Sequence, residues 1–407
     1  LDVRALIELA GVERRLTPAR ILNRDEKTVL RLYVEEARLL SGDRSLPAAL
    51  VFVPVRGYEG PPRSLARQLA AMGLSTCDED PVTRVLHAAG RKPGDYSSKP
   101  VIALSPELPA HDALVRILQH LVRVMRRNES GIKDDLDTEF LHDFRVAVRR
   151  TRSALGQMKT VFPPATLARY REKFAWLGSI TGMTRDLDVY LLKFENYQMQ
   201  LPNALRKDLE PLRTFLQRHH QQEQARLGRE LQTARYRQLK SQWRRYLSGP
   251  LPKRPVSDDA RSPIGEVAPR RTWRMYKRVL LEGRAITSAS PSEDQHELRK
   301  PCKKLRYLME FFHHLYPRRE IRSLIKELKG LQENLGDFQD LEVQILSLQH
   351  YSEQMQQEGD MTPRTQLAME GLLMGLETTM QEVRGEFDNR FRQFASKSNV
   401  KRFRYLL

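Results

Sequence analysis

The sequence predicts a mainly α fold: two pseudo-symmetric antiparallel four-helix bundles, preceded by a small α+β segment. Three observations lead there. Apolar residues recur at helical spacing from about Ser105 almost to the end of the chain. The helical region matches itself at a shift of 154 residues. Residues 1–105 instead carry β-branched runs separated by turn signals.

In chain order, "RLTPARILNR", "TVLRLYVEEARL" and "AALVFVPVRGY" predict three short antiparallel strands. "PPRSLARQLAAMGL" predicts a helix, with Pro62 near its start and Gly73 near its end. The turn-rich "AGRKPGDYSSKP", Ala89 to Pro100, marks a boundary. "DALVRILQHLVRVMRRN" then puts Leu114, Leu118, Leu121 and Met125 on one helical face. Segments 140–160, 165–198, 203–248, 270–287, 293–315, 319–355 and 363–395 show the same spacing. The Pro-rich stretch 249–269 reads as a linker between helical halves 106–248 and 270–395, and 396–407 as a basic C-terminal tail.

The repeat aligns His142 with His296, Arg145 with Arg299, Arg152 with Arg306 and Pro163 with Pro317. Leu177 falls on Leu331, Gly182 on Gly336, and "DLDV" (Asp186–Val189) on "DLEV" (Asp340–Val343). A gapless register over about fifty residues indicates duplication, and the linker lies between the copies.

Of the 407 residues, 40% are hydrophobic and 29% charged, a composition of folded rather than disordered chains. Lys and Arg number 69 against 51 Asp and Glu, a formal charge of +18, which directs attention to polyanionic partners. Two cysteines, Cys77 and Cys302, support neither a disulfide framework nor a thiolate zinc site, and their scarcity fits a reducing cytoplasm. No apolar run has membrane-spanning length and no signal-peptide pattern occurs, so no membrane partner is expected.

The first copy reads "FLHDFRVAVRRTRSAL" and the second "DQHELRKPCKKLRYLM". Each places a histidine ahead of cations at offsets 3, 7 and 10: His142, Arg145, Arg149, Arg152, and His296, Arg299, Lys303, Arg306. At about 100° per residue these fall on one stripe roughly 80° wide. Phe144, Ala147, Val148, Thr151, Leu155 and Met158 occupy a separate arc, as do Leu298, Cys302, Leu305, Met309 and Phe312 in the second copy. The core face is thus accounted for without the cations. A solvated basic face is the ordinary reading of such a stripe. Against it stand the histidine at the same offset in both copies and the lack of acidic partners four residues away. Cations aligned without counter-charge repel one another, and an anion is the natural missing partner. Arg forks and Lys ammonium groups suit phosphate oxygens, and histidine gains charge beside a polyanion. Pro301 interrupts the second ladder and is expected to kink its helix and re-aim Lys303 and Arg306.

This doubled His-x-x-Arg-x-x-x-Arg/Lys-x-x-Arg ladder, with its Gly-x-x-x-Asp-Leu-Asp/Glu-Val stretch, resembles the CHAD domain, the conserved histidine α-helical domain. The resemblance covers residues 106–395. It implies paired four-helix bundles that bind inorganic polyphosphate in a basic central channel, in some members at polyphosphate granules. It implies that His142, Arg145, Arg149, Arg152, His296, Arg299, Lys303 and Arg306 line the channel, with Lys300 close by. Arg116, Arg123, Arg270 and Lys277 join them on repeat register alone. Asp186 and Asp340 are expected to pair with ladder arginines or cap backbone groups rather than hold Mg²⁺. No catalytic residue, metal or cofactor is expected.

"RLTPARILNR", "PVRGYEG" and "PGDYSSKP" resemble the C-terminal half of a CYTH domain, a triphosphate-tunnel fold that often precedes CHAD. That family's Glu-x-Glu-x-Lys strand is absent, and "ALVFVPV" carries no acids. Glu35 and Glu36 make a poor metal site, so a half-domain without triphosphatase activity is expected. The chain opens on Leu1 rather than methionine, and an upstream acidic strand would reverse that expectation.

Two rival functions share the charge. A nucleic-acid-binding protein needs base-stacking platforms, but of the few aromatics near the ladders Phe144 and Phe312 lie in the core arc. A metal-dependent phosphohydrolase would start from His111-Asp112 and His142-Asp143, yet Asp143 becomes Glu297 in the second copy, and no P-loop, HExxH or GxSxG occurs. His219-His220 and His313-His314 read as surface or packing residues. The expected partner is therefore inorganic polyphosphate in the cytoplasm, with granule proteins as further partners.

Overall fold

The computed structural model describes residues 9–40, 44–58, 60–77, 79–91, 98, 102–249, 257–287 and 289–407. Most of the 89–100 boundary and all of residues 250–256 of the linker thus lie outside the described residues. The chain divides into a unit of residues 5–97 and a unit formed chiefly by residues 98–407.

In the smaller unit, β1 (Val12–Leu22), β2 (Thr28–Leu39) and β3 (Ala49–Pro54) form an antiparallel sheet in that order. Val12 faces Leu39, and Leu30 faces Pro54. The β1–β2 turn is set by Asn23, whose side-chain oxygen accepts from the Asp25 and Lys27 N–H groups. Two helices follow, α1 (Gly60–Ala71) and α2 (Pro81–Ala88), the latter capped by Asp80 accepting from the Val82 and Thr83 N–H groups. Strands and first helix match the sequence pattern. The short second helix, marked only by its Asp-Pro start, was not anticipated. Burial is modest: Val29, Leu30, Leu39 and Leu86 are its main covered apolar residues.

The larger unit is helical, and the repeat is visible in its element bounds. α3 (Ala110–Lys133) and α4 (Thr138–Gln157) are matched 154 residues later by α10 (Ile264–Ala285) and α11 (Ser292–Phe311). Between them come α5 (Pro164–Ile180), α6 (Gly182–Leu192), α7 (Phe194–Gln200), α8 (Glu210–Glu230) and α9 (Ala234–Leu247). After α11 follow α12 (Arg318–Glu358), α13 (Pro363–Phe394) and α14 (Lys397–Leu406). The expected linker is shorter than its Pro content implied, since α10 starts at Ile264 and carries Pro269 inside it. The tail 396–407 is helical from Lys397 to Leu406, and Phe403 is buried with its ring stacked on Tyr276 at 3.8 Å.

One difference between the copies has a local cause. α12 runs unbroken where the first copy breaks into α5 and α6 at Thr181. The Thr181 hydroxyl donates back to the Leu177 and Gly178 carbonyls, which competes with the helical ladder and bends the chain. Its register mate, Leu335, has no such option.

The copies are tied at a symmetric point. Pro109 and Pro263 form an antiparallel bridge in which Ala110 N donates to Ser262 O at 2.9 Å and Ile264 N to Leu108 O at 2.8 Å. Pro109 faces its own register mate, Pro263, so a local pseudo-dyad passes through the bridge. Helices α4 and α11 also pack on one another. The cores are shared between copies. The larger gathers α3–α5 with α10, α11 and the start of α12, while a second joins Tyr190, Phe194 and Phe215 to Leu348, Tyr351 and Leu372. Among the described residues no helix is long and apolar enough to cross a membrane.

Candidate anion-binding site

The apolar arc anticipated for α4 and α11 is where the core is: Phe144, Ala147, Val148, Leu155, Leu298, Cys302, Leu305 and Met309 are buried. The ladder side chains accordingly project elsewhere, and they meet neighbouring helices around three cavities. The largest, about 800 Å³, is lined by Arg149, Arg152, Arg171, Lys300, Lys303, Lys304 and Tyr307. A second, about 310 Å³, has His142, Arg145, Arg149, Arg185, Lys193, Asp186 and Asp340 in its wall. A third, about 230 Å³, is lined by Arg149, Arg299, Lys303, Arg306 and Lys329. Arg149 belongs to all three, and Lys303 and Tyr307 to the first and third. The cavities therefore adjoin, and cations of both copies converge on them.

Neighbouring backbone makes room for the guanidinium groups. Arg145 Nη1 donates to the Gly178 carbonyl at 3.1 Å and to Thr181 Oγ1 at 3.0 Å. Arg299, its register mate, donates to Gln339 Oε1 at 2.6 Å and to Asp340 Oδ1 at 3.0 Å. A Cβ on Gly336 would come within 3.3 Å of Arg299 Nη2, and one on Gly178 within 3.2 Å of Arg152 Nη1. Of the glycines aligned between copies, Gly336 thus has a reason, since a side chain there crowds the arginine, whereas a Cβ on Gly182 would meet Arg145 Nη1 at an ordinary 3.8 Å. Asp340 acts as anticipated, orienting a ladder arginine.

The electrostatics are those of cations short of counter-charge. Burial, then repulsion from Arg299 and Arg149, pushes the Lys303 ammonium down to about 8, with only Asp340 opposing. Burial and the Arg185 charge lower His142 below the usual imidazole value. Arg145 is lowered as well, by burial before all else. Among the described residues Arg149, Arg152, Arg171, Lys303 and Lys304 take part in no ion pair.

Several expectations need correction. The stripe is not wholly without acidic partners: Glu310, four residues on, lies 3.7 Å from Arg306, and beside the stripe Lys300 pairs with Glu297, three residues before it, at 2.5 Å. Pro301 is buried inside a continuous α11, and Lys303 and Arg306 still line one cavity with Arg299. Arg116, Arg123, Arg270 and Lys277 line none of the three cavities. Arg116 and Arg123 sit on the exposed face of α3, opposite its buried Leu114, Leu118 and Leu121. Arg270 is exposed and bonded to Asp259, and Lys277 lies over the Trp273 ring at 5.9 Å. Register made these pairs equivalent without saying which way they point. His296 is partly exposed and is not in the wall of these cavities, unlike His142. The paired histidines are more engaged than anticipated, since His220 Nε2 meets the buried Asp188 Oδ1 at 2.7 Å, which raises its pKa.

Arg171, Arg185, Lys193, Lys304 and Lys329 line the cavities and were missed. Arg171, Arg185, Lys193 and Lys329 have uncharged register mates, Ile325, Gln339, Ser347 and Ala175, so the repeat carries no signal for them. Lys304 aligns with Arg150, and that shared positive charge was the one available clue. Among the described residues, no three or more His, Cys, Asp or Glu side chains come together in a metal-holding group.

A duplicated helical fold with cations of both copies turned onto adjoining cavities defines the class of protein. A CHAD domain family profile matches residues 116–349, and the chain belongs to that family. The fold is similar to the crystal structure of the CHAD domain from the plant Ricinus communis, with TM-score 0.58 and 26% identity over 71% of this chain and 95% of that one. It is similar also to PptA from Streptomyces chartreusis, with TM-score 0.55 and 15% identity over 70% of this chain and 100% of the other. No curated protein matches the chain.

Proposed function

We propose that the chain binds inorganic polyphosphate along the adjoining cavities that α4 lines, with α11 on one side and with α6 and α12 on the other, which together form a basic channel, and does so without catalysing a reaction. The observation that carries this is the position of Arg149. It lines all three cavities, has no ion pair among the described residues, and stands with Lys303 and Arg152 where like charges crowd. Such a cluster costs free energy in the empty protein and recovers it when phosphate oxygens arrive. Membership of the CHAD family supports the same ligand. Polyphosphate threads a cavity lined by rows of cations, whereas nucleic acid brings bulky bases and looks for aromatic platforms. Tyr307, the aromatic residue in the wall of the largest cavity, is buried and packs on Phe311.

Residues 1–105 we read as a partial triphosphate-tunnel segment without triphosphatase activity. In support, Glu35 is buried and bonded to Arg14 at 2.8 Å rather than free to hold a metal. A cytoplasmic role at polyphosphate granules, with granule proteins as partners, follows from the ligand. Competition of labelled long-chain polyphosphate against single-stranded DNA and RNA at matched salt tests the reading. Preference for polyphosphate per phosphate supports it, and equal competition by nucleic acid overturns it. A hydrolysis assay with Mg²⁺ or Mn²⁺ tests the non-catalytic part, and phosphate release abolished by Asp186→Ala would overturn it.

A further inference from the structure

Lys303 differs from the other lysines at the cavities. It is half-buried on α11, with Arg299 four residues before it and Arg306 three after, and Arg149 of α4 shares both of its cavities. Lys300 leans on Glu297, but among the described residues no carboxylate pairs with Lys303. Asp340, the one acid that favours its charge, is already held by Arg299 at 3.0 Å. Lys304, Arg152 and Arg171 face the larger cavity and add positive charge. With its ammonium pushed down to about 8, Lys303 holds a sizeable share of free amine near neutrality. The surrounding guanidinium groups meanwhile gather anions at the same spot.

An amine with a lone pair inside an anion-holding cavity is positioned to meet an electrophile that carries its own phosphate. We infer that Lys303 is a modification site, acylated by small acyl phosphates whose phosphoryl group docks on Arg149, Arg299 and Arg306. Lys303 Nζ attacks the carbonyl carbon and forms the C–N bond. The bond between that carbon and the phosphate oxygen breaks, inorganic phosphate leaves with the electron pair, and the proton shed by nitrogen passes to it. No oxidant or further reactant is needed. The product is a neutral amide at the centre of the cation cluster. The chemistry stands on the cavity alone; its consequence, weaker polyphosphate binding by the acylated chain, rests on the function proposed above.

The test is a time course of the full chain with acetyl phosphate at a pH of about 7.5, without polyphosphate, reading every lysine by peptide mass spectrometry. A docked phosphoryl group draws the Lys303 pKa part of the way back up, but the reagent is also concentrated beside the amine, so Lys303 should acetylate several-fold faster than the exposed Lys397. Added inorganic phosphate should slow Lys303 alone, and a neutral acetylating ester should show a smaller preference for it. Acetylation of Lys303 no faster than of Lys397, or an equal preference with the neutral ester, overturns the inference. Polyphosphate affinity of the unmodified chain is measured separately. Retained affinity without acetylation sinks only this inference, and acetylation without affinity sinks only the proposed function.

Discussion

Arg150 of the first copy and Glu310 of the second form an ion pair at 2.9 Å between α4 and α11, with the arginine buried. Arg150 also donates to the Ser98 carbonyl at 2.7 Å, and Glu310 lies 3.7 Å from Arg306. One carboxylate therefore holds the two ladder helices together and partly occupies a ladder arginine.

Glu310→Gln should separate stability from binding. It leaves the Arg150 charge unpaired, at an expected loss of about 2–3 kcal/mol, the lower side of the range because Glu310 is partly exposed. It also frees Arg306, so polyphosphate affinity should hold or rise. Urea unfolding beside a binding titration reads both, and an unchanged unfolding midpoint would show that the pair contributes nothing.

Gly336→Ala should do the reverse. Alanine in a helix interior is favoured over glycine by up to about 1 kcal/mol, and the crowded atom is the mobile end of Arg299. Stability should therefore rise slightly while affinity falls several-fold, as Arg299 is displaced from Gln339 and Asp340. Thermal melts and binding isotherms on the variant decide it. Lower stability with intact affinity would mean that the helix, not the arginine, gives way.

Arg145→Ala or Arg299→Ala should each weaken polyphosphate binding by about 1–3 kcal/mol, as for loss of a charge-assisted contact. Arg116→Ala and Arg123→Ala, on the outer face of α3, should leave it within about twofold. The wild-type affinity should fall steeply with salt through counterion release, and the ladder variants should show a shallower slope. Unchanged affinity when Arg145, Arg152, Arg299 and Arg306 are all replaced would dissolve the site.

Much of this was legible in the sequence because it depends on local spacing. Offsets of 3, 7 and 10 from His142 and His296 put the cations on one stripe whatever the tertiary fold, and the repeat located both ladder helices. What faces the stripe depends on packing. Arg171 and Arg185 come from α5 and α6, helices that reach the ladder only after the chain turns back, and their register mates are uncharged. The Thr181 break was hidden for a related reason. A buried threonine bends a helix only when its hydroxyl finds the preceding turn, and that is a matter of rotamer rather than of pattern.

Binding should take up protons. Lys303 is lowered to about 8 and His142 lies below its usual value, because the empty site disfavours their charged forms. A polyanion favours those forms and raises both pKa values, so affinity increases as pH falls through the range where they titrate. For the free protein the sign is opposite: the unfolded chain binds more protons than the folded one between about 8 and the ordinary lysine value of 10.5, so the Lys303 contribution makes stability rise with pH there. Calorimetry in two buffers of different ionisation enthalpy should reveal the uptake, and Lys303→Met should remove its alkaline part. Heats independent of buffer would contradict the assignment.

The antiparallel bridge joins Pro109 to its own register mate, Pro263, so the copies meet there about a local half-turn, and the register mates Arg149 and Lys303 reach the first and third cavities from opposite ladders. A linear phosphate polymer is the same molecule read from either end, and it enters such a site equally well both ways round. A nucleic-acid strand has distinct 5′ and 3′ ends, so reversing it presents a different chain to the same cations. The duplication therefore suits a ligand without polarity, a form of selectivity set by symmetry rather than by any single contact.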